Sequence, residues 1–97
     1  MKLTFEWAAA KAVLNRRTHK VSFGEATTVF GDPLSITIDD PEHSTEESRY
    51  IDIGRSSRGQ VLVVVYTQRG NRIRIISSRK ATRRERRAYE EGSDRSE

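Results

Sequence analysis

The C-terminal half of this chain is unusually rich in arginine, a residue suited to binding phosphate. Between Arg69 and Arg87, nine of nineteen residues are basic, eight of them arginine, and only Glu85 is acidic. A guanidinium group stays charged at any physiological pH and grips phosphate oxygens with a planar fork. Because such a density of like charge repels itself unless a polyanion neutralises it, we expect these groups to converge on nucleic acid. An acidic partner protein could use the same surface.

Cleavage of RNA without a metal ion would require a base for the 2′-OH, a cation for the phosphorane and an acid for the leaving oxygen. The chain has many candidate cations and few candidate bases. Lys11 and His19 lie on one polar face of the first predicted helix, together with Asn15 and Thr18. This face could contact substrate, with His19 as acid or base. Alternatively, His19 only ends the helix, where the macrodipole favours a cation.

Two further candidate cations are arginines at the ends of predicted strands. Arg49 could bind phosphate and support the transition state, or it could form a weak salt bridge to the acidic loop at 39–42. Arg79 lies just before a predicted helix, where backbone N–H groups attract anions. It could therefore hold a phosphate together with Thr82 and Arg83. If the strand that contains Arg79 is regular, Arg74 and Arg79 emerge on opposite faces.

The last predicted helix supplies two more candidates. Glu85 could act as a base, orient an arginine, or form a capping box with Thr82, which is the simplest interpretation. Tyr89 could donate a proton or stack on a base, or it could anchor the helix in the core. The remaining cations are candidates for binding RNA. They are Arg55, Arg58, Arg72, Arg74, Lys80 and Arg86.

Local patterns predict the elements that would position these residues. The sequence of 97 residues fits one domain, over residues 1–92, with a polar tail at 93–97. The stretch 60–67 is apolar on both faces, which predicts a central strand covered on both sides. The order β-α-α-β-β-β-β-α predicts an α+β domain whose small antiparallel sheet has helices packed on one face. The predicted strands are 3–5, 34–39, 49–55, 60–67 and 72–78, and the predicted helices are 8–17, 22–30 and 82–91.

Composition limits the other classes of function. Residues 1–48 carry a net charge of −3 and residues 49–97 a net charge of +7. Without cysteine, and with only His19 and His43, no metal site or cofactor is expected. The longest apolar run, 61–66, is far shorter than the ~20 residues that span a bilayer, and no secretory leader is evident. We therefore predict a cytoplasmic protein without a membrane segment, whose modest core could be completed by a partner or by a dimer.

The sequence resembles the BrnT family of bacterial toxins. The resemblance rests on an ordered set of short motifs over nearly the whole domain. These are Phe5-x-Trp7, Lys11, Asn15, His19-x-Val21-Ser22-Phe23, Glu25-Ala26, Val29-Phe30-x-Asp32-Pro33, Arg49, Ile53-Gly54, Val63-Val64-x-Tyr66-Thr67, Arg74-Ile75-Ile76-Ser77-x-Arg79, Ala81-x-Arg83-x-Glu85-Arg86 and Tyr89.

This resemblance implies a metal-independent ribonuclease toxin of a type II toxin–antitoxin pair, with a RelE-like fold, that inhibits translation and growth. It also implies neutralisation by an antitoxin of the BrnA type, which carries a ribbon-helix-helix DNA-binding domain. The complex would contain two toxins and two antitoxins and would bind operator DNA. Folds of the RelE type rely on Arg, Lys and Tyr more than on a pair of histidines. The candidate catalytic residues are therefore Lys11, His19, Arg49, Arg79, Arg83, Glu85 and Tyr89.

The chain departs from the family pattern at two places near the first helix. The family usually has aspartate where this chain has Ala8, and it usually reads Lys-His-Gly where this chain has Thr18-His19-Lys20. An aspartate at position 8 would be expected to pair with Lys11 across one helix turn. Two other functions use the same basic residues: a module that binds RNA or DNA without cleaving it, and a protein whose basic face binds an acidic antitoxin segment.

Overall fold

The computed structural model describes residues 2–39 and 48–95, and these form an α+β domain as predicted. The predicted order of elements is confirmed. The acidic segment 40–47, which includes His43, lies outside the described residues. The elements are β1 (Thr4–Glu6), α1 (Ala9–His19), α2 (Phe23–Thr27), a 3-10 turn (Thr28–Gly31), β2 (Ile36–Asp39), β3 (Arg49–Arg55), β4 (Val61–Arg69), β5 (Arg72–Lys80) and α3 (Arg83–Arg95).

The five strands form one sheet in the order β1-β5-β4-β3-β2, with β4 at the centre as predicted. Strands β2 to β5 form the predicted antiparallel meander. The two tight turns between β3, β4 and β5 use Gly59 (φ 83°) and Gly70 (φ 57°), whose left-handed backbones favour glycine. Strand β1 pairs parallel to β5, with Glu6 opposite Arg74. Local periodicity could not predict this pairing, because the two strands are far apart in the chain.

A bulge in β5 changes which arginines share a face of the sheet. Tyr66 pairs with Ile75, whereas its neighbour Val65 pairs with Ser77, so Ile76 is an extra residue on β5. One inserted residue reverses the alternation of side chains along a strand. Arg74 and Arg79 therefore lie on the same face. The prediction that they emerge on opposite faces assumed a regular strand, and it is wrong for that reason.

Helices cover both faces of the sheet. Leu62 of β4 belongs to a buried cluster with Val21 and Phe23, on the face covered by α1 and α2. Its neighbour Val63 points to the other face, where it clusters with Tyr89 of α3. The prediction that β4 is covered on both sides is confirmed, but the expectation that all helices pack on one face is corrected. A strand that is apolar on both faces needs a helix on each.

The last helix is longer than predicted. Rather than ending near Glu91, α3 continues through Gly92 to Arg95, so residues 93–95 of the predicted polar tail are helical. None of the helices in the described parts of the chain is long and apolar enough to cross a membrane.

Asn15 joins α1 to the outer edge of β5. Its side-chain amide donates to the backbone oxygens of Ser78 (2.8 Å) and Val21 (3.0 Å), and its Oδ1 accepts the Ser78 N–H (3.1 Å). Strand β1 pairs with β5 only at 72–74, so beyond this point the Asn15 side chain takes the place of a neighbouring strand. Asn15 is buried, and both ends of its amide are held by backbone groups, which favours a structural role over direct contact with substrate.

Neither end of α1 carries the type of residue that best terminates a helix. Ala8 is the N-cap, with extended φ −81° and ψ 128°, and it supplies no side-chain hydrogen bond. Lys20 follows the C-terminus with φ 62° and ψ 26°, in the left-handed region. Both positions are among those at which the chain departs from the pattern of the resemblance. Because position 8 precedes the helix, an aspartate there would cap it, and the expected pairing with Lys11 gives way to this role.

We expect Ala8→Asp and Lys20→Gly each to raise the free energy of unfolding by about 1 kcal/mol. The first adds a side-chain acceptor for an unpaired N–H, and the second relieves a left-handed backbone. Since the sites lie at opposite ends of α1, the gains should be nearly additive. Chemical denaturation of the single and double variants measures them. Ala8→Asn, which caps without charge, should match Ala8→Asp, and Lys20→Ala should give no gain. No gain in stability from Ala8→Asn, or a gain from Lys20→Ala, would refute the capping explanation.

Candidate nucleic-acid interface

Besides Arg55, which lies against Tyr89 of α3, five arginines share the face of the sheet that α3 partly covers. Paired residues on adjacent strands point to the same side of a sheet. Arg79 pairs with Val63, Arg74 pairs with Thr67, and Thr67 and Val63 both point toward the α3 side. Arg49 also pairs with Thr67, and Arg69 pairs with Arg72. This set, here named the arginine face, consists of Arg49, Arg69, Arg72, Arg74 and Arg79.

An ion pair with two hydrogen bonds lies on the arginine face at the start of α3. Arg79 donates from Nη1 to Glu85 Oε1 (2.7 Å) and from Nη2 to Glu85 Oε2 (2.8 Å). Glu85 Oε1 also accepts the Thr82 N–H (2.9 Å), and Thr82 Oγ1 accepts the Glu85 N–H (3.2 Å), which confirms the predicted capping box. The capping box and the ion pair together fix the plane of the guanidinium group.

The charges of this pair determine what each residue can do. Hydrogen bonds from Arg79 lower the pKa of Glu85 from 4.5 to about 2, and the same bonds raise the pKa of Arg79. A carboxylate with so low a pKa is a poor base near neutral pH. Glu85 is therefore suited to orient Arg79, whose side chain remains 41% exposed and can meet a phosphate.

A second cluster lies farther along the arginine face, around Glu6. The Glu6 carboxylate lies 3.6 Å from Arg72 Nε and 3.3 Å from Arg74 Nη1, and with Thr67 and Arg69 they line a groove of about 230 Å³. Glu6 was not predicted as a site residue, because the parallel pairing of β1 with β5 is not visible locally, whereas Arg69 belongs to the basic stretch that was expected to bind a polyanion. Exposed pairs of this kind contribute only about 0–1 kcal/mol, so a phosphate could replace the carboxylate at little cost.

Three other predicted RNA-binding residues line a separate groove at the β3–β4 turn. There Arg55 donates from Nη1 to the Gly59 oxygen (3.1 Å) and lies 5.9 Å from the centre of the Tyr89 ring. The groove has a volume of about 360 Å³. It is named here the turn groove, and its polar lining comprises Arg55, Gln60, Lys80, Arg86 and Glu90.

Tyr89 occupies a position in the core. Its ring is buried against Ile53, Val61 and Val63, and its hydroxyl donates to Asp32 Oδ2 at 2.7 Å. Burial raises the pKa of the Tyr89 hydroxyl, and the bond to Asp32 raises it further. This geometry favours the interpretation that Tyr89 anchors α3, rather than the one in which it donates a proton or stacks on a base.

Lys11 and His19 lie together, but on the α1 side of the sheet. With Leu14, Asn15, Thr18, Ile76 and Ser77 they line a groove of about 260 Å³, named here the α1 groove. Arg58 and Arg83 are exposed, in the β3–β4 turn and the first turn of α3. The expected convergence of the arginines is thus limited to the five of the arginine face, because Arg55 on β3 lines the turn groove instead. Among residues 2–39 and 48–95, no three His, Asp or Glu side chains are grouped as metal ligands.

The Glu85–Arg79 pair should make stability depend on pH. Because folding lowers the pKa of Glu85 from 4.5 to about 2, the stabilisation is complete above about pH 4.5 and is lost as the pH falls toward 2. We expect Glu85→Gln to lower the free energy of unfolding by roughly 1–2 kcal/mol at neutral pH, since the pair is partly exposed. The difference from wild type should vanish in acid. Denaturation across this pH range, with Glu90→Gln as the control, tests this, and a constant difference would refute it.

Comparison with known proteins is consistent with this geometry. A family model described as ribonuclease toxin, BrnT, of type II toxin-antitoxin system matches residues 7–85. The fold is similar to the crystal structure of the Brucella abortus ribonuclease toxin BrnT, with a TM-score of 0.63. The two share 19% identity over 86% of this chain and 99% of that chain, so this likeness concerns the fold alone. Comparison with curated proteins gives no match.

Proposed function

Since this chain belongs to the BrnT family of ribonuclease toxins of type II toxin–antitoxin systems, we propose that it cleaves RNA on the arginine face without a metal ion. The single observation that carries the proposal is the two-point contact between Glu85 and Arg79. It presents an oriented, partly exposed guanidinium group to solvent. A preorganised cation of this kind stabilises the negative charge that develops on a phosphate during cleavage.

In this proposal the rest of the arginine face binds the RNA backbone. Arg72 and Arg74 share the carboxylate of Glu6, and Arg69 lines the same groove, so positive charge exceeds negative charge there. Phosphates on either side of the cleaved bond would displace the Glu6 carboxylate and bind these guanidinium groups in its place. Single-stranded RNA fits this open surface better than a duplex, because its backbone can follow the sheet.

The proposal assigns narrower roles to the other predicted residues. Glu85 is a positioning residue for Arg79, and Tyr89 supports α3 from the core. Lys11 and His19 line the α1 groove on the other side of the sheet, so they take no part at the reacting phosphate. The turn groove, with Lys80 and Arg86, would bind a more distant part of the RNA.

The proposal also includes a partner and a setting. The family is defined by toxin–antitoxin systems, which supports an antitoxin encoded with this protein. We propose that it is of the BrnA type, with a ribbon-helix-helix domain, and that two toxins and two antitoxins bind operator DNA together. Cleavage of RNA in the cytoplasm would then inhibit translation and growth whenever the antitoxin is lost.

The test uses the purified, folded full chain and a single-stranded RNA. We expect cleavage that is unchanged by EDTA and that gives 2′,3′-cyclic phosphate ends. In the proposed step the 2′-OH attacks the phosphorus and loses its proton to solvent water, and the departing 5′-oxygen takes a proton from water. An RNA with a 2′-deoxy nucleotide at the cleaved position is the matched control and should remain intact. RNA left whole at a large molar excess of protein would refute the nuclease, and cleavage abolished by EDTA would refute metal independence.

One observation favours a second candidate, an RNA-binding module without nuclease activity. Glu85, the carboxylate bound to Arg79, has a pKa of about 2 and cannot serve as an effective base. Such a module would bind RNA with a strong salt dependence, with a slope of about −0.7 per neutralised phosphate, and release no product. The same incubation distinguishes the two, because only the nuclease shortens the RNA.

A further inference from the structure

The solvent side of α1 carries an apolar stripe that the domain does not bury. Ala10, Val13 and Leu14 are spaced i, i+3 and i+4, which places them on one face of the helix, and Arg17 follows at i+7 at the C-terminal end of this face. Asn15, which is buried against β5, lies on the opposite side. Val13 and Leu14 are 60% and 61% exposed. Because this spacing normally marks the face of a helix that packs on a core, α1 has a second packing face that no element within residues 2–39 and 48–95 covers. This set is named here the outer stripe.

Apolar surface extends from the outer stripe to both sides of α1. On one side, Val13 and Trp7 line a groove of about 240 Å³ that reaches Phe23. Trp7 is 38% exposed and meets the Phe23 ring edge-on, with the ring centres 5.9 Å apart. On the other side, Leu14 and Ile76 line the α1 groove. The uncovered surface is therefore a ridge between two shallow grooves, which a helix or an extended segment could clasp.

The charge around this ridge restricts what can cover it. From Trp7 to Gly24 the chain contains no aspartate or glutamate. The ridge is bordered by Lys11 on one side, Arg16 on the other and Arg17 at its C-terminal end. If a second copy of this chain covered the ridge with the same surface, the basic borders of the two copies would repel each other. If RNA covered it, the exposed Val13 would have no apolar partner. A protein segment with an apolar face and acidic flanks satisfies both the aliphatic ridge and the basic border.

We infer that the outer stripe of α1 docks an amphipathic, acidic segment of the antitoxin. The inference rests on the proposed function only in taking the partner to be an antitoxin. It places this contact on the α1 side of the sheet, away from the arginine face on the α3 side. Docking on α1 would thus anchor the antitoxin, and changes to the outer stripe should alter its affinity without altering the chemistry of RNA cleavage.

A synthetic helical peptide tests the surface itself. The probe is roughly 15 residues long, with leucine at i, i+3, i+4 and i+7 and glutamate elsewhere. Trp7 is the only tryptophan in the chain, so its fluorescence reports occupancy directly. We expect the peptide to shift Trp7 emission and the amide signals of α1. A peptide with lysine in place of glutamate, and a single-stranded RNA, should leave both unchanged.

Substitutions on the stripe supply the second arm of the test. Val13→Asp and Leu14→Asp should each weaken peptide binding at least tenfold, whereas Ala88→Asp, which adds the same charge on the exposed side of α3, should not. With the antitoxin co-expressed, the two α1 variants should stop growth although wild type does not. Both should cleave RNA at the wild-type rate and keep the wild-type melting temperature.

The outcomes separate the two proposals. Equal binding of the peptide by wild type and Leu14→Asp, binding of the lysine peptide, or α1 signals that respond to RNA would overturn the docking inference while leaving the nuclease intact. If wild type fails to cleave RNA but binds the acidic peptide through α1, the nuclease proposal fails and the docking surface stands.

Discussion

Replacing Arg79 by alanine should reduce the rate of RNA cleavage by roughly 10²–10³-fold, as the loss of a preorganised group that stabilises developing charge does in other enzymes. The reason lies in its orientation, since both oxygens of Glu85 hold its guanidinium group in one plane. Growth arrest on expression should be largely lost as well. Single-turnover cleavage with the enzyme in excess measures the effect on chemistry apart from RNA binding.

Two variants make this result specific. Arg79→Lys keeps the charge but cannot pair with Glu85 through two nitrogens, so we expect it to recover less than a tenth of the lost activity. Arg58→Ala removes one arginine from an exposed turn outside the arginine face and should stay within about twofold of wild type. Antitoxin binding should be unchanged in Arg79→Ala, Arg79→Lys and Arg58→Ala. An Arg79→Ala variant that cleaves normally would remove this residue from the site.

Replacing Asn15 by aspartate should lower the free energy of unfolding by about 3 kcal/mol, although the two side chains have nearly the same shape. The amide donates to two backbone oxygens, of Ser78 and Val21, inside the protein. A carboxylate cannot donate, so both oxygens would lose their partner and face a buried negative charge. Thermal and chemical denaturation measure the loss, which should appear as a fall of several degrees in melting temperature.

The matched control is Asn71→Asp. Asn71 also donates from its side chain to a backbone oxygen, that of Lys2 at 3.0 Å, but it is exposed, so water can replace the bond. We expect this variant to lose less than about 0.5 kcal/mol. Asn15→Asp should regain part of its stability as the pH falls, because a protonated carboxyl can donate one hydrogen bond. Equal stability of the two variants would show that Asn15 does not secure α1 to β5.

Local sequence patterns predicted the elements well. The bounds of β3, Arg49–Arg55, agree with the alternation of its side chains, and Thr82 with Glu85 starts α3 as the capping pattern indicates. Such signals act within a few residues, so they survive any change in tertiary arrangement. The end of α3 was not predicted, because Gly92 resembles a stop signal but is accommodated within the helix.

The candidate site was predicted less completely, because the contacts of its residues join segments that lie far apart in the sequence. Tyr89 and Asn15 carry side chains suited to chemistry, but Tyr89 bonds to Asp32 and Asn15 to Ser78, 57 and 63 residues away. Glu6 was overlooked, although it meets Arg74 across 68 residues of chain. Nothing near these residues in the sequence records such partners, which are set only when the elements pack.

The sequence by itself determined that this protein is a small α+β domain with a basic C-terminal half suited to phosphate, because charge and periodicity are properties of neighbouring residues. Only the tertiary structure decided which arginines act together. The inserted Ile76 turns Arg79 to the face that holds Arg74, and the parallel pairing of β1 with β5 brings Glu6 beside Arg74. Strand register and pairing depend on how distant segments pack, and a shift of one residue moves a side chain to the other face of the sheet.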